Sequence, residues 1–415
     1  MKRITSVLLI VLSLVMIASA MTLGAGASSA YQTYTYSIDG EALYSPDAYS
    51  ASKSVDYTQM GLEVNLNNPG DMVTDKKQNV YIADTGNNRI VALDRYYTYR
   101  FEISTFINEQ GNNDALAAPQ GVFVTDEAIW VCDTDKNRIV RFDLEGNFEK
   151  ILDAPESQLF DNDDVYKPVA MAIDQYGRIY VVSSTTYQGI IVMDANGDFV
   201  GFVGAQAVTI GAWEILWRRF QTDEQKKLSQ SYVSTEFNNI TITDDGFIYV
   251  TTSSIEESSV SGAIRGKSKD GKYMPVKLLN PAGDEIMRRN GFWPPAGEID
   301  YSTDKTETYY GTSTVTDVAV GPEKTWTIID SKRNKLYTYD FNGNLLFAFG
   351  DKGSMLGSIS NIEAVTYQDD TMLVLDKGSN CIVVYERTEY GDMLLQAIAA
   401  ENSLDYNYAI SSVTD

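Results

Sequence analysis

Charged residues at a fixed separation are the first chemistry this chain offers. Asp84 and Arg89 bracket one polar turn, Asp133 and Arg138 a second, and Asp330 and Lys335 a third. A carboxylate facing a cation across a hairpin turn can pair with it and fix the turn. An exposed pair of this kind contributes only about 0–1 kcal/mol, and a part-buried one more. The recurrence favours a scaffold role over a site. A second set is Asp71, Asn239 and Asp317, which occupy comparable positions in the first strands of three copies of a repeat, with Glu363 beside the equivalent position in another. Their oxygens are the type that ligate calcium, although polar residues so placed also bind water. Histidine is absent, which excludes Ser-His-Asp and Cys-His nucleophiles and His-ligated zinc or copper. The acidic run Phe160–Asp164 reads as a solvated loop rather than a metal site.

The elements that must position these residues come from the repeat itself. Val80–Val91 reads as strand, polar turn, strand, with Gly86-Asn87 expected to take up positive φ. Val131–Val140 repeats it, and the runs at 329–336 and 375–382 are weaker copies. In the third and fourth copies Ser183 and Thr251 stand where Asp is expected. Asp194-Ala195-Asn196-Gly197-Asp198 and its sisters at Asp143 and Asp340 are hairpin turns, not calcium loops. Six units of four short strands each predict an all-β fold, a six-bladed β-propeller. A detached strand at Tyr34–Ile38 is expected to close the ring as the outer strand of the last blade. A partial seventh blade is the competing arrangement, because Met393-Leu394 could supply that outer strand.

Two insertions break the repeat. Residues 205–237 carry Trp213, Leu216, Trp217 and Phe220 at helical spacing, which predicts an amphipathic helix on the rim or over the ring. Residues 255–313 are expected to lengthen the fourth blade. They include a hairpin turn at Ser268–Gly271, outer strands at Met274–Leu279 and Glu285–Met287, and an aromatic loop at Gly291–Pro295. Residues 391–415 form a helical tail.

Lys2 and Arg3, the apolar run Val7–Ala18 and the small residues Ala18-Ser19-Ala20 make residues 1–30 a signal peptide, with Ser28-Ser29-Ala30 as a second cleavage candidate. An uncleaved N-terminal anchor is the alternative. The chain is therefore expected to be secreted or held at the cell surface, without membrane insertion after cleavage. A formal net charge of −24 disfavours nucleic acid and anionic membranes as partners. Cys132 and Cys381 lie in different copies of the repeat and are expected to be free core or turn residues.

The run Tyr81–Ile90 and its copy at 130–140 resemble NHL repeats, which form six-bladed propellers, and the resemblance covers about Asn68 to Glu386. The layout is similar to uncharacterised exported NHL-repeat proteins of Gram-positive gut bacteria. The shared features are the Tyr-Thr-Tyr strand, the tryptophan-bearing inserted helix and the run Arg288–Pro295. Such proteins often continue into helical repeats, so a further C-terminal module is an expectation. The lack of histidine separates the chain from the amidating lyases that NHL repeats resemble. The leading expectation is a non-enzymatic scaffold that needs no cofactor and binds a protein or glycan at the cell surface. Trp213, Trp217, Phe292 and Trp293 are its candidate contacts. A calcium-dependent, lactonase-type hydrolase with Asp71, Asn239 and Asp317 near the metal is the alternative. The resemblance also implies, as a third reading, an accessory subunit of a solute transporter.

Overall fold

Short runs of alternating or continuous apolar residues, cut by polar turns, give strands of three to seven residues rather than helices. The computed structural model describes residues 30–155, 166–185, 189–204 and 237–404. The chain opens with β1 (Thr33–Tyr36), β2 (Ala42–Ser45) and β3 (Tyr49–Val55), then a one-turn helix α1 (Tyr57–Met60). Blade one is β4 (Asp71–Thr74), β5 (Val80–Asp84), β6 (Arg89–Leu93) and β7 (Tyr99–Ile103). A small hairpin, β8 (Thr105–Ile107) and β9 (Asn113–Ala115), leads to blade two: β10 (Pro119–Val124), β11 (Ala128–Asp133), β12 (Arg138–Asp143) and β13 (Phe148–Leu152). Blade three is β14 (Pro168–Ile173), β15 (Ile179–Ser183), β16 (Ile190–Met193) and β17 (Phe199–Val203).

Blade four has β18 (Phe237–Ile242) and β19 (Ile248–Thr252), then helix α2 (Glu257–Arg265), then β20 (Val276–Leu279). Blade five is β21 (Val315–Val320), β22 (Trp326–Asp330), β23 (Lys335–Tyr339) and β24 (Leu345–Phe349). Blade six is β25 (Ile362–Gln368), β26 (Thr371–Asp376) and β27 (Cys381–Arg387), followed by helix α3 (Glu389–Asn402). The molecule is a six-bladed β-propeller, as the repeat predicts.

The core is divided among the gaps between blades. Val80, Ile82, Val91 and Leu93 of blade one pack on Leu373, Leu375, Ile382 and Val384 of blade six. Tyr81, Ala83, Ile90 and Ala92, on the opposite face of the same strands, pack on Val122, Ile129, Val131 and Val140 of blade two. Alternate residues of a strand point to opposite faces, so a blade with a neighbour on each side needs apolar residues at every position. That is why the middle strands read as continuous hydrophobic runs.

Ring closure differs from expectation. β1 does not join blade six. It runs antiparallel to β24 on the edge of blade five, where Tyr34 faces Ala348, and β2 extends that sheet to six strands. The outer strand of blade six is β3, which pairs along β27 from Ile382↔Val55 to Arg387↔Tyr49. The last blade is thus completed by the start of the chain, but by a later strand. Tyr34 and Tyr36 are drawn instead to Glu298, which blade five's neighbourhood supplies. Met393 and Leu394 lie in α3, capped by Thr388, whose hydroxyl accepts the Gly391 amide. The sixth blade therefore has no fourth strand of its own.

Blade four also departs from the prediction. β20 is its third strand, and among the described residues a single bridge, Leu279↔Glu285, lies beyond it. Ser268–Gly271 leads from α2 into a 3-10 turn at Gly271–Tyr273 rather than forming a hairpin turn. In the repeat turn the left-handed residue is Asn88 (φ 55), not Gly86 or Asn87. Gly86 is needed for close approach instead, since a Cβ there would stand 2.6 Å from the Asn67 carbonyl oxygen. The register puts Thr252, not Thr251, at the Asp position, because Phe237 faces Thr252 as Pro119 faces Asp133. The Asp194 turn is held internally, Oδ1 accepting the amides of Asn196 and Asp198 at 2.8 and 3.0 Å. Cys132 and Cys381 are free and buried. The inserted helix expected at 205–237, with Trp213 and Trp217, the acidic run Phe160–Asp164 and the leader fall outside the described residues.

Two truncations separate the roles of the N-terminal strands. A chain beginning at Asp47 keeps β3, whereas one beginning at Tyr57 loses it. The second should melt well below the first in differential scanning calorimetry. Equal melting temperatures would refute closure by β3.

Candidate functional site

The recurring Asp and Arg residues are buried fasteners. Asp84 is fully buried and accepts the Asn67 amide at 2.7 Å on one oxygen and Arg89 Nε at 2.7 Å on the other. Arg89 then reaches Glu102 at 2.7 Å and the Val64 carbonyl at 2.8 Å. Asp133 repeats this with the Ala117 amide at 2.6 Å and Arg138 Nε at 2.7 Å. Each Asp ties the end of a second strand to the chain leading into its own blade. Removing one partner of such a pair costs about 3–5 kcal/mol, because the other charge stays buried. The rest of the turn binds the next blade: Thr85 and Thr134 donate to the carbonyls of Pro119 and Pro168 at 2.6 and 2.7 Å, and Asn88 Oδ1 accepts the Ala118 amide at 2.8 Å.

Blade five keeps the device but exchanges the cation. Asp330 accepts the Thr314 amide at 3.0 Å and pairs with Arg333 at 2.9 Å, not with Lys335. Asp330 and Lys335 do face one another across the strands, but Arg333 brings a planar fork from within the turn. That fork also holds the Tyr309 carbonyl at 3.0 Å, which a lysine's single point charge would not do at the same time. Lys335 pairs instead with Glu298 at 3.2 Å. Glu298 is buried and also accepts the hydroxyls of Tyr34 at 3.0 Å, Tyr337 at 3.2 Å and Tyr36. This cluster anchors β1 to blade five.

Asp71, Asn239 and Asp317 share one rung of the inner strands, opposite Ala83, Thr251 and Ile329. Together they line a central cavity of about 670 Å³ that runs to the first-to-second-strand turns at Asp75, Asp126, Asp174 and Asp244. In every blade but the first, a β-bulge precedes this rung. Bulges leave ladder groups unpaired and re-aim side chains. The two carboxylates meet that need. Asp71 accepts its neighbour Met72's amide at 2.7 Å and, across the blade gap, that of Val122 at 2.9 Å. Asp317 does the same with Val318 and Val365, both at 2.7 Å. In blades two, three and six the rung residue is Gly121, Ala170 or Ala364, so those blades have no side chain of their own to cap the next amide. Glu363 falls on the bulge itself and pairs with Lys377 at 3.2 Å.

Burial pushes the Asp71 carboxyl up to about 7, with the Asp317 charge adding to it, and burial pushes Asp317 up to about 6. Both oxygens of each aspartate hold main-chain amides, whereas a Ca²⁺ ion takes six to eight oxygens. Among the described residues no group of three or more His, Cys, Asp or Glu could hold a metal.

A second cavity, of about 300 Å³, lies where β1 and β24 part beyond Tyr34. Tyr36, Leu43, Phe292, Trp293, Tyr339 and Leu345 form its walls. Thr35 Oγ1 donates to the Leu345 carbonyl at 2.7 Å across the gap. Trp293 is fixed, its indole N–H donating to the Ser37 carbonyl at 2.9 Å and Lys267 Nζ lying 4.2 Å from its ring centroid. Phe292 is 60% exposed. Of the residues singled out by sequence, Phe292 and Trp293 therefore meet here, and Asp71, Asn239 and Asp317 meet in the channel. Tyr36, Leu43 and Glu298 were not anticipated. The Tyr-Thr-Tyr alternation of β1 puts both tyrosines on one face, which is the signal that could have found the first.

The NHL repeat profile matches residues 66–93. The chain carries an NHL repeat. That match spans the Asn67–Asp84–Arg89 fastener of blade one, so the NHL signature falls on the groups that hold the blade together. No curated protein sequence is significantly similar to the chain. Among solved structures, it resembles virginiamycin B lyase from Staphylococcus aureus at 12% identity, TM-score 0.41, over 78% of this chain and 85% of that one. It also resembles a protein of unknown function from Bacteroides thetaiotaomicron at 10% identity, TM-score 0.48, over 86% and 76%. A third is hydrazine synthase from Kuenenia stuttgartiensis at 11% identity, TM-score 0.47, over 79% and 97%. None of the three assigns an activity to this NHL-repeat chain.

The channel aspartates carry a pH signature. A carboxyl whose folded-state pKa lies above its unfolded value of about 3.9 takes up protons on folding. Its stabilisation is greatest at low pH and declines as pH rises from about 4 to about 7, the value Asp71 reaches. Asp71→Asn should lose less stability than the unmodified protein between pH 5 and pH 8, read as urea midpoints. Parallel losses in the two proteins would rule out a raised Asp71.

Proposed function

We propose that the protein is an exported, non-enzymatic propeller that serves as a binding scaffold at the cell surface, engaging a protein or glycan partner at the Phe292–Trp293 pocket. The observation that carries this is an aromatic cavity of about 300 Å³ with one wall held rigid and one ring left in solvent. That volume is at the lower end for ligand pockets and suits a single side chain or sugar ring. Aromatic residues dominate the few contacts that carry most of the energy in an interface, and a preformed wall limits the entropy lost on binding. The pocket also lies where the repeat is broken, between the N-terminal hairpin and the insertion in blade four. Binding surfaces concentrate in such connections, carried by a rigid scaffold.

The channel supports the non-enzymatic part of this reading. Asp71 and Asp317 are the most perturbed carboxyls near a cavity, and perturbed groups are the usual candidates for catalysis. Here each is engaged by two main-chain amides, a role that accounts for its position without chemistry. Export rests on the leader-like residues 1–30. Cleavage after Ala20 or Ala30 would leave every described strand intact, since β1 begins at Thr33.

Phe292→Ala should weaken binding of the purified protein to envelope preparations of the producing cells, or to immobilised envelope glycans, by about tenfold. Its melting temperature should not change, because the ring is exposed. Undiminished binding would remove the pocket from the interface. N-terminal sequencing of protein from its native host should begin at Met21 or Tyr31. A chain beginning at Met1 would establish an uncleaved anchor instead.

A further inference from the structure

One residue beyond the rung of Asp71, each blade brings a main-chain amide to the channel. The six belong to Met72, Val122, Met171, Ile240, Val318 and Val365. Side-chain oxygens take five of them. Asp71 accepts the first two, Asn239 Oδ1 accepts that of Ile240 at 2.5 Å, and Asp317 accepts the last two. The Met171 amide has no such partner, because blade two offers Gly121 at the rung and blade three Ala170.

The sheet does not satisfy it either. The Asp174 amide donates to the Arg178 carbonyl, so Asp174, Ala172 and Ala170 are the residues of this stretch that bond to β15. Antiparallel pairs alternate, so Met171 and Ile173 turn their amides and carbonyls away from β15, toward the channel. Met171 is 3% exposed, and a buried amide is almost always paired. The residue lines the central cavity together with Asn239 of the neighbouring blade. Asn239 has a donor to spare, since among the described residues nothing accepts from its Nδ2.

The other open groups of the cavity are uncharged as well. Thr241 and Thr366 carry hydroxyls that bond to no described residue. Most carboxylates are occupied: Asp75 accepts the Asn79 amide at 2.8 Å, Asp126 holds Lys76 at 2.6 Å and Asp174 holds Arg178 at 2.7 Å. Asp244 has no such partner. With Lys76 as the single cation among these aspartates, the walls disfavour an anion. Phe123 and Tyr367 add aromatic surface.

We propose that the channel binds an uncharged sugar of one or two rings. One sugar oxygen accepts from the Met171 amide and another from Asn239 Nδ2, in the place that water must otherwise fill. Hydroxyls both donate and accept, which suits walls that mix open amides, hydroxyls and carboxylate lone pairs. The C–H faces of the ring pack on Phe123 and Tyr367. The cavity of about 670 Å³ falls within the usual range for ligand pockets, about 300–1,000 Å³. This site is separate from the Phe292–Trp293 pocket and does not rest on it.

The test is a ligand-observed NMR titration of the full chain with methyl α-glucoside and with sucrose. Saturable binding is expected, with a Kd of about 1 mM or tighter for one of them. Glucose 6-phosphate should bind more weakly. Ala170→Asn gives blade three the cap that Asn239 gives blade four. It should weaken sugar binding about tenfold, near the worth of one hydrogen bond, without lowering the melting temperature. Asn239→Asp keeps the Ile240 cap and removes only the Nδ2 donor, so it should weaken binding to a similar degree and serves where the first variant does not fold. No saturable binding of either neutral sugar, or unchanged affinity in a folded variant, would overturn the proposal. Binding of glucosamine alone would also overturn it, because the acidic walls would then be holding a cation.

Discussion

A buried carboxylate that accepts a main-chain amide from the incoming chain holds four of the blades in place. Asp84 and Asp133 do this with an arginine added, and Asp376 does it with the amides of Ser360 and Asn361 at 2.9 and 2.8 Å. Where the repeat erodes, the task survives in reduced form: Ser183 Oγ accepts the Lys167 amide at 3.0 Å. The group must be short, must accept, and must sit at the end of the second strand. Propeller blades share no continuous sheet, so contacts of this kind and the apolar packing between blades carry the whole ring. An unpaired amide at such a buried joint would cost about 1–3 kcal/mol.

The same need recurs one rung further in. At the channel the bulges free main-chain amides, and Asp71 and Asp317 cap them across the blade gaps. Their oxygens look like ligands in sequence and behave as joints in the fold. Burial raises the proton affinity of both groups, with the Asp317 charge adding to it at Asp71 and the Glu363 charge at Asp317. A site residue and a scaffold residue can therefore share identity, burial and perturbed titration. Only the partners separate them.

Much of the fold was legible because its determinants are local. Strand runs, hairpin turns and the Asp-to-Arg spacing each fit within a dozen residues, and the period of the pattern counted the blades. Ring closure was not legible, since Tyr34–Ile38 and Tyr49–Val55 both alternate as strands should. The choice between them was made by Glu298, more than 200 residues away, which takes the hydroxyls of Tyr34 and Tyr36. The exchange of Lys335 for Arg333 was hidden for a related reason, because strand register brings Asp330 opposite the lysine while side-chain reach favours the arginine. Phe292 and Trp293 were visible as an aromatic break in the repeat, but the hairpin that completes their pocket was not.

Closure by β3 sets an order of events for the chain as it is made. The contact between Ser54 and Cys381 spans 327 residues, so the last sheet cannot form until almost the whole polypeptide is present. Non-local pairing of this kind slows folding and leaves strand edges exposed meanwhile. β3 must wait as an unpaired strand while five blades assemble after it. Its alternating sequence, with Ser50, Ser52 and Lys53 among its outward residues, keeps it poorly suited to pairing with itself. The strand that seals the ring is thus also the one that has to remain soluble longest.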